Sequence, residues 1–343
     1  MHMADALVSP AVGGTMWAAS AGLIGYCSRK IREISDNRRV PLMGVLGAFV
    51  FAAQMINFSI PGTGSSGHLG GGMIVAVLLG PHAAFLVIAS VLVVQALFFA
   101  DGGLLALGCN IFNMGFLPCL VAYPLVYRRI AGQEPSAGRL WTACTTASIV
   151  ALQLGAFAVV LETVLSGISA LPLGTFALLM QPIHLAIGVV EGMITAAVVA
   201  FVWKTRPEVL DVTPLTPSVR EHSLRNLIVG LLAAAVLTAG VLSWFASSRP
   251  DGLEWAMFKT AGKEELDAPA QGIHEALAEI QDKTTFMPDY GFATPREHVE
   301  EKSPDHWPSI DPGTTVAGLL GGILTLLVAA AAGYALTRRR LAR

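Results

Sequence analysis

The sequence predicts an all-α integral membrane protein: a seven-helix body followed by two further transmembrane helices joined by an external segment. Three observations predict it. Of 343 residues, 54% are hydrophobic and only 13% charged, with a mean hydropathy of +0.62, which no soluble domain matches. Apolar runs of membrane-crossing length recur along the chain. Basic residues gather between alternate runs, as they do in cytoplasmic loops.

The runs lie near residues 11–28, 40–57, 69–81, 83–100, 103–127, 140–162, 174–203, 224–247 and 315–337. A span needs roughly 20 residues, so nine crossings are expected. The third run is short and glycine-rich, which predicts a tilted or partly buried helix surrounded by protein. Arg29, Lys30, Arg32, Arg38 and Arg39 follow the first run; Arg128, Arg129 and Arg139 follow the fifth; Lys204, Arg206, Arg220 and Arg225 lie between the seventh and eighth; Arg338, Arg339, Arg340 and Arg343 end the chain. Sixteen of the 22 Lys and Arg thus fall on one side of a nine-span topology, which makes that side cytoplasmic. The other six lie in one segment, about 248–314, with 14 of the 24 acidic residues. This topology places the N-terminus, the loop NFSIPGTGSSGH and the acidic segment outside, and the C-terminus inside.

Residues 1–203 form the seven-span body, and 204–223 is a polar, proline-bearing cytoplasmic linker. Residues 224–343 form a simpler unit of helix, external segment and helix. Cys27, Cys109, Cys119 and Cys144 lie scattered in apolar stretches and read as small buried hydrophobes. No GxxxxGK[ST] phosphate loop is present, so the chain is not expected to hydrolyse nucleotide, and no repeat of broken helices suggests a secondary transporter. A metal-dependent membrane enzyme would want HExxH or paired carboxylates within spans, and neither occurs. A channel or antiporter would want a charged pathway through several helices, for which only His184 and Glu191 are available.

The opening MHMADALVSP carries the chemistry. The Met1 amine, the His2 amide once deprotonated and a His2 ring nitrogen can close two fused chelate rings around one metal. Fused rings through an amide favour a plane, which suits Ni(II) or Cu(II) better than tetrahedral Zn(II). His68 is the natural fourth ligand, because its loop faces the same side and GTGSSGHLGGG allows close backbone approach. No cleavable signal is expected, since cleavage would remove the ligands.

The stretches MHMADALVSPAVGGTMW, SSGHLGGG, FFADGGLLALGCNIFNMG and HLAIGVVEG together resemble the substrate-binding component of the energy-coupling-factor transporters for nickel and cobalt, the CbiM/NikM family. Met3 and Ala6 depart from that family's usual Met-His-Ile-x-Asp-Gly opening, without touching a ligand. The resemblance implies a seven-helix substrate-binding bundle with Met1, His2 and His68 holding the metal in a square plane. The second part resembles the small companion CbiN/NikN, with MPDYGF at 287–292 as its Pro-Asp-Tyr element, and the whole is a fused, NikMN-type arrangement. By resemblance, the protein is a non-catalytic, multi-pass component of the bacterial plasma membrane. Its implied partners are a transmembrane coupling subunit and two cytoplasmic ATPases, with the lipid bilayer around it and no nucleic acid. Ni2+ is the expected transported substrate and Co2+ the alternative; toppling of the whole subunit would carry the metal inward. The companion is thought to help load the site, so the acidic segment is expected near its mouth, where it would concentrate cations or simply form a solvated face.

Supporting residues are expected around the ligands. Ser65 and Ser66 precede His68 in its loop. Asp101 is expected to cap the fifth helix, with a role beside the metal ligands as the alternative. Asn110 and Asn113 are expected to hydrogen-bond the glycine loop. His184 and Glu191 share one helix face and are expected to fasten neighbouring helices or to handle metal. His82 is expected to be structural, and His222, His274, His298 and His306 lack metal-ligand spacing.

Overall fold

The computed structural model of the chain describes residues 1–34, 39–133, 135–205, 221–292 and 308–338. A 3-10 turn, Asp5–Leu7, leads into α1 (Pro10–Ile34) and α2 (Arg39–Gln54). A small antiparallel hairpin follows, β1 (Phe58–Ser59) and β2 (Ser66–Gly67). Then come α3 (Gly72–Leu79) and α4 (Pro81–Phe98), α5 (Leu107–Ala131), α6 (Ala137–Ser166) and α7 (Leu173–Thr205). The last elements are α8 (Glu221–Gly240), α9 (Gly252–Ala261), α10 (Ile273–Thr284) and α11 (Pro312–Arg338). Each of the nine apolar runs contains a helix, and α4, α5, α6, α7 and α11 are long and apolar enough to cross a membrane. Most of the linker, 206–220, lies outside the described residues, as do His298, His306 and the terminal arginines 339, 340 and 343.

The short third run is α3, all eight of whose residues are buried, so neighbouring protein rather than length satisfies its surroundings. In α5, Pro118 and Pro124 sit inside the helix. Each removes a ladder N–H and crowds the preceding turn, and the helix absorbs both by widening into π-type turns over Phe112–Tyr127.

Small residues set the closest helix contacts, as they must where surrounding lipid is as apolar as the side chains. Gly188 and Gly192 of α7, one turn apart, press on the backbone at Ile149 and Thr145 of α6. Gly44 of α2 faces the Leu326 carbonyl of α11, and Gly321 of α11 receives the Phe51 ring. Through these contacts α11 packs along α2, so the two parts of the chain share one core. All four cysteines are buried and free.

The described part of the acidic segment, through residue 292, folds back over the end of the bundle that holds Met1. Helix α9 lies against α7, where Gly252 meets Ile183 and His184. Helix α10 is anchored by Gln281, whose Nε2 donates to the Ala96 and Gly102 carbonyls at 2.8 and 2.9 Å, and by buried His274, whose Nε2 lies 3.0 Å from the Val8 carbonyl.

A Cβ at Gly108 would fall on the backbone of Trp17 in α1, so Gly108→Val should destabilise the chain by about 1–3 kcal/mol. The check is the melting temperature of detergent-purified protein against Gly230→Ala, a site with nothing within 4 Å; equal melting temperatures would refute the packing argument.

Candidate metal centre

The N-terminal strand is drawn into the bundle by its own backbone. The Met3 N–H donates to Asn110 Oδ1 at 2.8 Å, Asn110 Nδ2 donates to the Met3 carbonyl at 3.2 Å, and the Gly103 N–H adds a second bond to that carbonyl at 2.9 Å. Asp5 Oδ1 accepts from the Ala106 N–H at 2.9 Å. Glycine is required beside this strand: a Cβ at Gly103 would land on the Asp5 carboxylate, and one at Gly102, where φ is 84°, would lie 2.8 Å from Asn110 Nδ2.

This clamp leaves three of the expected nitrogen donors together. The Met1 amine lies 3.3 Å from His68 Nε2, and the His2 and His68 rings stack at 5.1 Å with an interplanar angle of 17°. Metal–nitrogen bonds of about 2 Å put adjacent donors of a plane about 2.8 Å apart, so the amine and His68 need close only slightly. His68 Nδ1 faces the Leu69 carbonyl at 3.1 Å. A carbonyl can only accept, so Nδ1 carries the hydrogen and Nε2 presents its lone pair toward the amine. His2 has Nε2 at 3.2 Å from Gln95 Oε1 and Nδ1 at 3.2 Å from Asp101 Oδ1. With Nε2–H given to Gln95, the Nδ1 lone pair is free for a metal once Asp101 yields.

Protons and carboxylates fill the electrostatic roles. The Met1 ammonium pairs with Asp251 Oδ2 at 2.8 Å. Burial pushes the Asp251 carboxyl upward, but the adjacent ammonium and backbone N–H donors outweigh it and hold the group below the usual carboxylate range. Burial and the same ammonium drive both His2 and His68 down to about 3, so both rings are neutral. Burial raises Asp101, which accepts a hydrogen bond from the Tyr290 hydroxyl. Burial, together with Asp251, raises Glu254 to about 7. A cavity of about 510 Å3 opens beside this group, lined by His2, His68 and the carboxylates Asp101, Asp251, Glu254 and Asp289, among others.

Several residues stand elsewhere than expected. Asp101 does not cap α5; Asp5 satisfies the Ala106 N–H instead, because the clamped strand brings that carboxylate to the helix start. Asn110 and Asn113 do not bond the glycine loop: Asn110 holds Met3, and Asn113 Nδ2 donates to Glu162 Oε2 at 2.7 Å. His184 and Glu191 do not meet. His184 Nδ1 faces the Met180 carbonyl at 2.8 Å, while Glu191 Oε2 accepts from the Gly70 N–H at 2.7 Å and so holds the glycine loop itself. Ser65 hydrogen-bonds Thr63 within the hairpin turn. Ser66 joins the His68 loop to the acidic segment, its N–H donating to the Pro250 carbonyl at 2.8 Å and its Oγ to the Arg249 carbonyl at 2.7 Å.

Sequence reasoning missed Asp251, Gln95 and Tyr290. One signal was present for the first: Asp251 and Glu254 form a capping box at the start of α9, and Asp-x-x-Glu before an apolar stretch marks a helix start. Tyr290 belongs to the Pro-Asp-Tyr element and stacks on Phe99 at 5.2 Å. Among described non-glycine residues, only Ala100, Asp289 and Tyr290 have positive φ, and all three surround the Asp101–Tyr290 contact, a concentration of backbone strain at one spot. No cluster of three His, Cys, Asp or Glu side chains with metal-holding geometry occurs among the described residues.

Fold and pocket together define a class: a multi-pass helical membrane protein that buries its own N-terminus among convergent nitrogen donors. The chain belongs to the CbiM family, described as the cobalt uptake substrate-specific transmembrane region, which residues 2–209 match; residues 225–338 match the PDGLE domain. It is similar to a putative fused nickel transport protein NikMN of Archaeoglobus fulgidus, 31% identical over 98% of each chain. It is also similar to a fused nickel transport protein NikMN of Rhodobacter capsulatus, 28% identical over 84% of this chain and 88% of that one. A crystal structure of a truncated transition metal transporter superposes with a TM-score of 0.53 at 30% identity, covering 60% of this chain and 99% of that one. The Pro-Asp-Gly-Leu-Glu sequence at 250–254 is the stretch that places Asp251 on the Met1 amine.

If Asn110 holds the strand, Asn110→Ala should raise the rate at which an amine-acylating reagent modifies Met1 by about tenfold, the worth of roughly two net hydrogen bonds. Peptide mass analysis of the modified N-terminus is the check, and an unchanged rate would assign the clamp to other contacts.

Proposed function

We propose that this chain is the substrate-capturing component of an energy-coupling-factor uptake transporter for nickel ions, binding the metal at the outer face in a planar nitrogen site. The observation that carries the reading is the convergence of the buried Met1 amine, the His2 ring and the bare His68 Nε2. The His2 amide completes two fused rings with the amine and Nδ1, and His68 supplies the fourth nitrogen. The relatives named for nickel support that metal, and cobalt, named in the family description, is the alternative.

Capture requires the amine to lose its proton and leave Asp251. The carboxylate then remains beside a dication, where it balances charge rather than standing unpaired. The acidic cavity gathers hydrated cations ahead of this step. Arg29, Lys30, Arg32, Arg128, Arg129, Arg139 and Lys204 lie toward the ends of helices far from Met1, which supports an outer N-terminus and a cytoplasmic opposite face. A transmembrane coupling subunit and two cytoplasmic ATPases supply the energy, and inward release follows reorientation of the whole bundle.

Metal competition on purified protein with its native N-terminus tests the site: nickel should outcompete zinc, and equal affinity would sink the planar geometry. A residue added before Met1, or His68→Ala, should lower nickel affinity by at least 100-fold, roughly the worth of one lost ligand at about 3 kcal/mol. His298→Ala and His306→Ala should leave it nearly intact.

The pH dependence follows from the buried imidazoles. With folded values near 3, His2 and His68 carry no proton to displace between pH 8 and 5, so the protons released on binding come from the amine and the amide. Nickel affinity should therefore rise with pH with no inflection near 6.5; a break at that pH, followed by calorimetry, would show that the rings titrate normally.

A further inference from the structure

Beside Met1 and His68 lies a second, smaller cavity of about 10 Å3, lined also by Gly67, Gly70, His184 and Asp251, among others. That volume holds one water-sized particle. It is too small for a hydrated divalent ion and large enough for a bare one.

His184 turns a lone pair toward this space. Its Nδ1 lies 2.8 Å from the Met180 carbonyl one turn earlier on α7, and because a carbonyl has no hydrogen to give, Nδ1 carries the proton and Nε2 is bare. His184 is 1% exposed, and its Nε2 has no hydrogen-bond partner among the described residues. A buried acceptor left unmade is a destabilising feature that calls for a reason. The tautomer that leaves it so is also the one in which an imidazole binds a metal. Its surroundings leave the approach clear: Gly252, at the start of α9, is the residue whose absent Cβ would stand 3.1 Å from His184 Cε1. Gly67, Gly70 and Met114 line the same space.

We propose that His184 Nε2 is an inner metal ligand, distinct from the Met1–His2–His68 set, which receives the ion as it leaves that set toward the bundle interior. The inference rests on the nickel-capture reading. One cavity borders Met1 and His68 of the set that gives up the ion as well as His184, which takes it, so the ion changes partners without rehydrating. Asp251 borders both positions and keeps the dication balanced during the exchange.

The test removes the outer set and asks what is left. Detergent-purified full-length protein is titrated with NiCl2 as wild type, as the His2→Ala/His68→Ala double variant, and as that variant carrying His184→Gln. The wild type should bind one Ni2+ tightly, the double variant should keep one weaker site, and His184→Gln should weaken that residual site at least tenfold. X-ray absorption on the double variant gives an independent reading that does not depend on the triple variant folding: its nickel should show imidazole scattering. No residual site in the double variant, meaning a cavity that holds water only, overturns the proposal, as does residual binding indifferent to His184→Gln or lacking imidazole scattering. Failure of the wild type itself to bind Ni2+ overturns the capture reading and this inference together; tight wild-type binding with either negative result overturns this inference alone.

Discussion

The arrangement depends on one interaction, the two-point hydrogen bonding of Asn110 to the backbone of Met3. A chain terminus carries charge and ordinarily frays into solvent. Here two residues beyond the clamp suffice to bring an ammonium, a backbone amide and an imidazole inside a helical bundle. Asn110 sits in the first turns of α5 and the Gly103 N–H in the turn before it, so the strand is held by a rigid element and its lead-in together. The glycines at 102 and 103 are the space the strand occupies.

Burying this much polarity has to be compensated group by group. Asp251 neutralises the ammonium, and its other oxygen accepts from the Leu253 and Glu254 N–H groups at the start of α9. Both imidazoles stay neutral, which avoids placing a second positive charge beside the amine. Asp101 is tied to Tyr290, and Gln95 bridges Tyr290 and His2. The first part of the chain therefore supplies the nitrogen donors, while the second supplies two of the groups that make their burial tolerable.

The membrane character and the helix positions were legible because hydropathy is local: each run reports its own burial, and even the abbreviated α3 announced itself by length and glycine content. The proximity of His68 to Met1 and His2 agrees with an expectation drawn from coordination chemistry, in which a terminal Met-His wants one further nitrogen. Other contacts across the fold were not legible. Asp251 lies 250 residues from its partner amine, and nothing in its neighbourhood except a helix-start pattern marks it. Asp101 read as a cap because a carboxylate before a helix usually is one, yet a nearby imidazole and a phenol engage it instead, and the start of α5 has no side-chain cap. His184 and Glu191 share a face at a spacing of seven residues, but two turns separate them by about 10 Å. A shared face is not a contact.

The same contacts divide the pocket into two bodies. Met1 and His2 move with α5 through Asn110, while His68 follows a hairpin whose Ser66 is bonded to Arg249 and Pro250 of the acidic segment. Asp251 is the next residue along, so His68 and the counter-ion of the amine are carried by one stitched unit. Displacing that unit away from α5 would separate His68 from the amine and withdraw the carboxylate in a single motion. Because β2 is joined to residues 249 and 250 by backbone as well as side-chain hydrogen bonds, the second part of the chain helps to set the geometry of a pocket whose nitrogen donors all lie in the first.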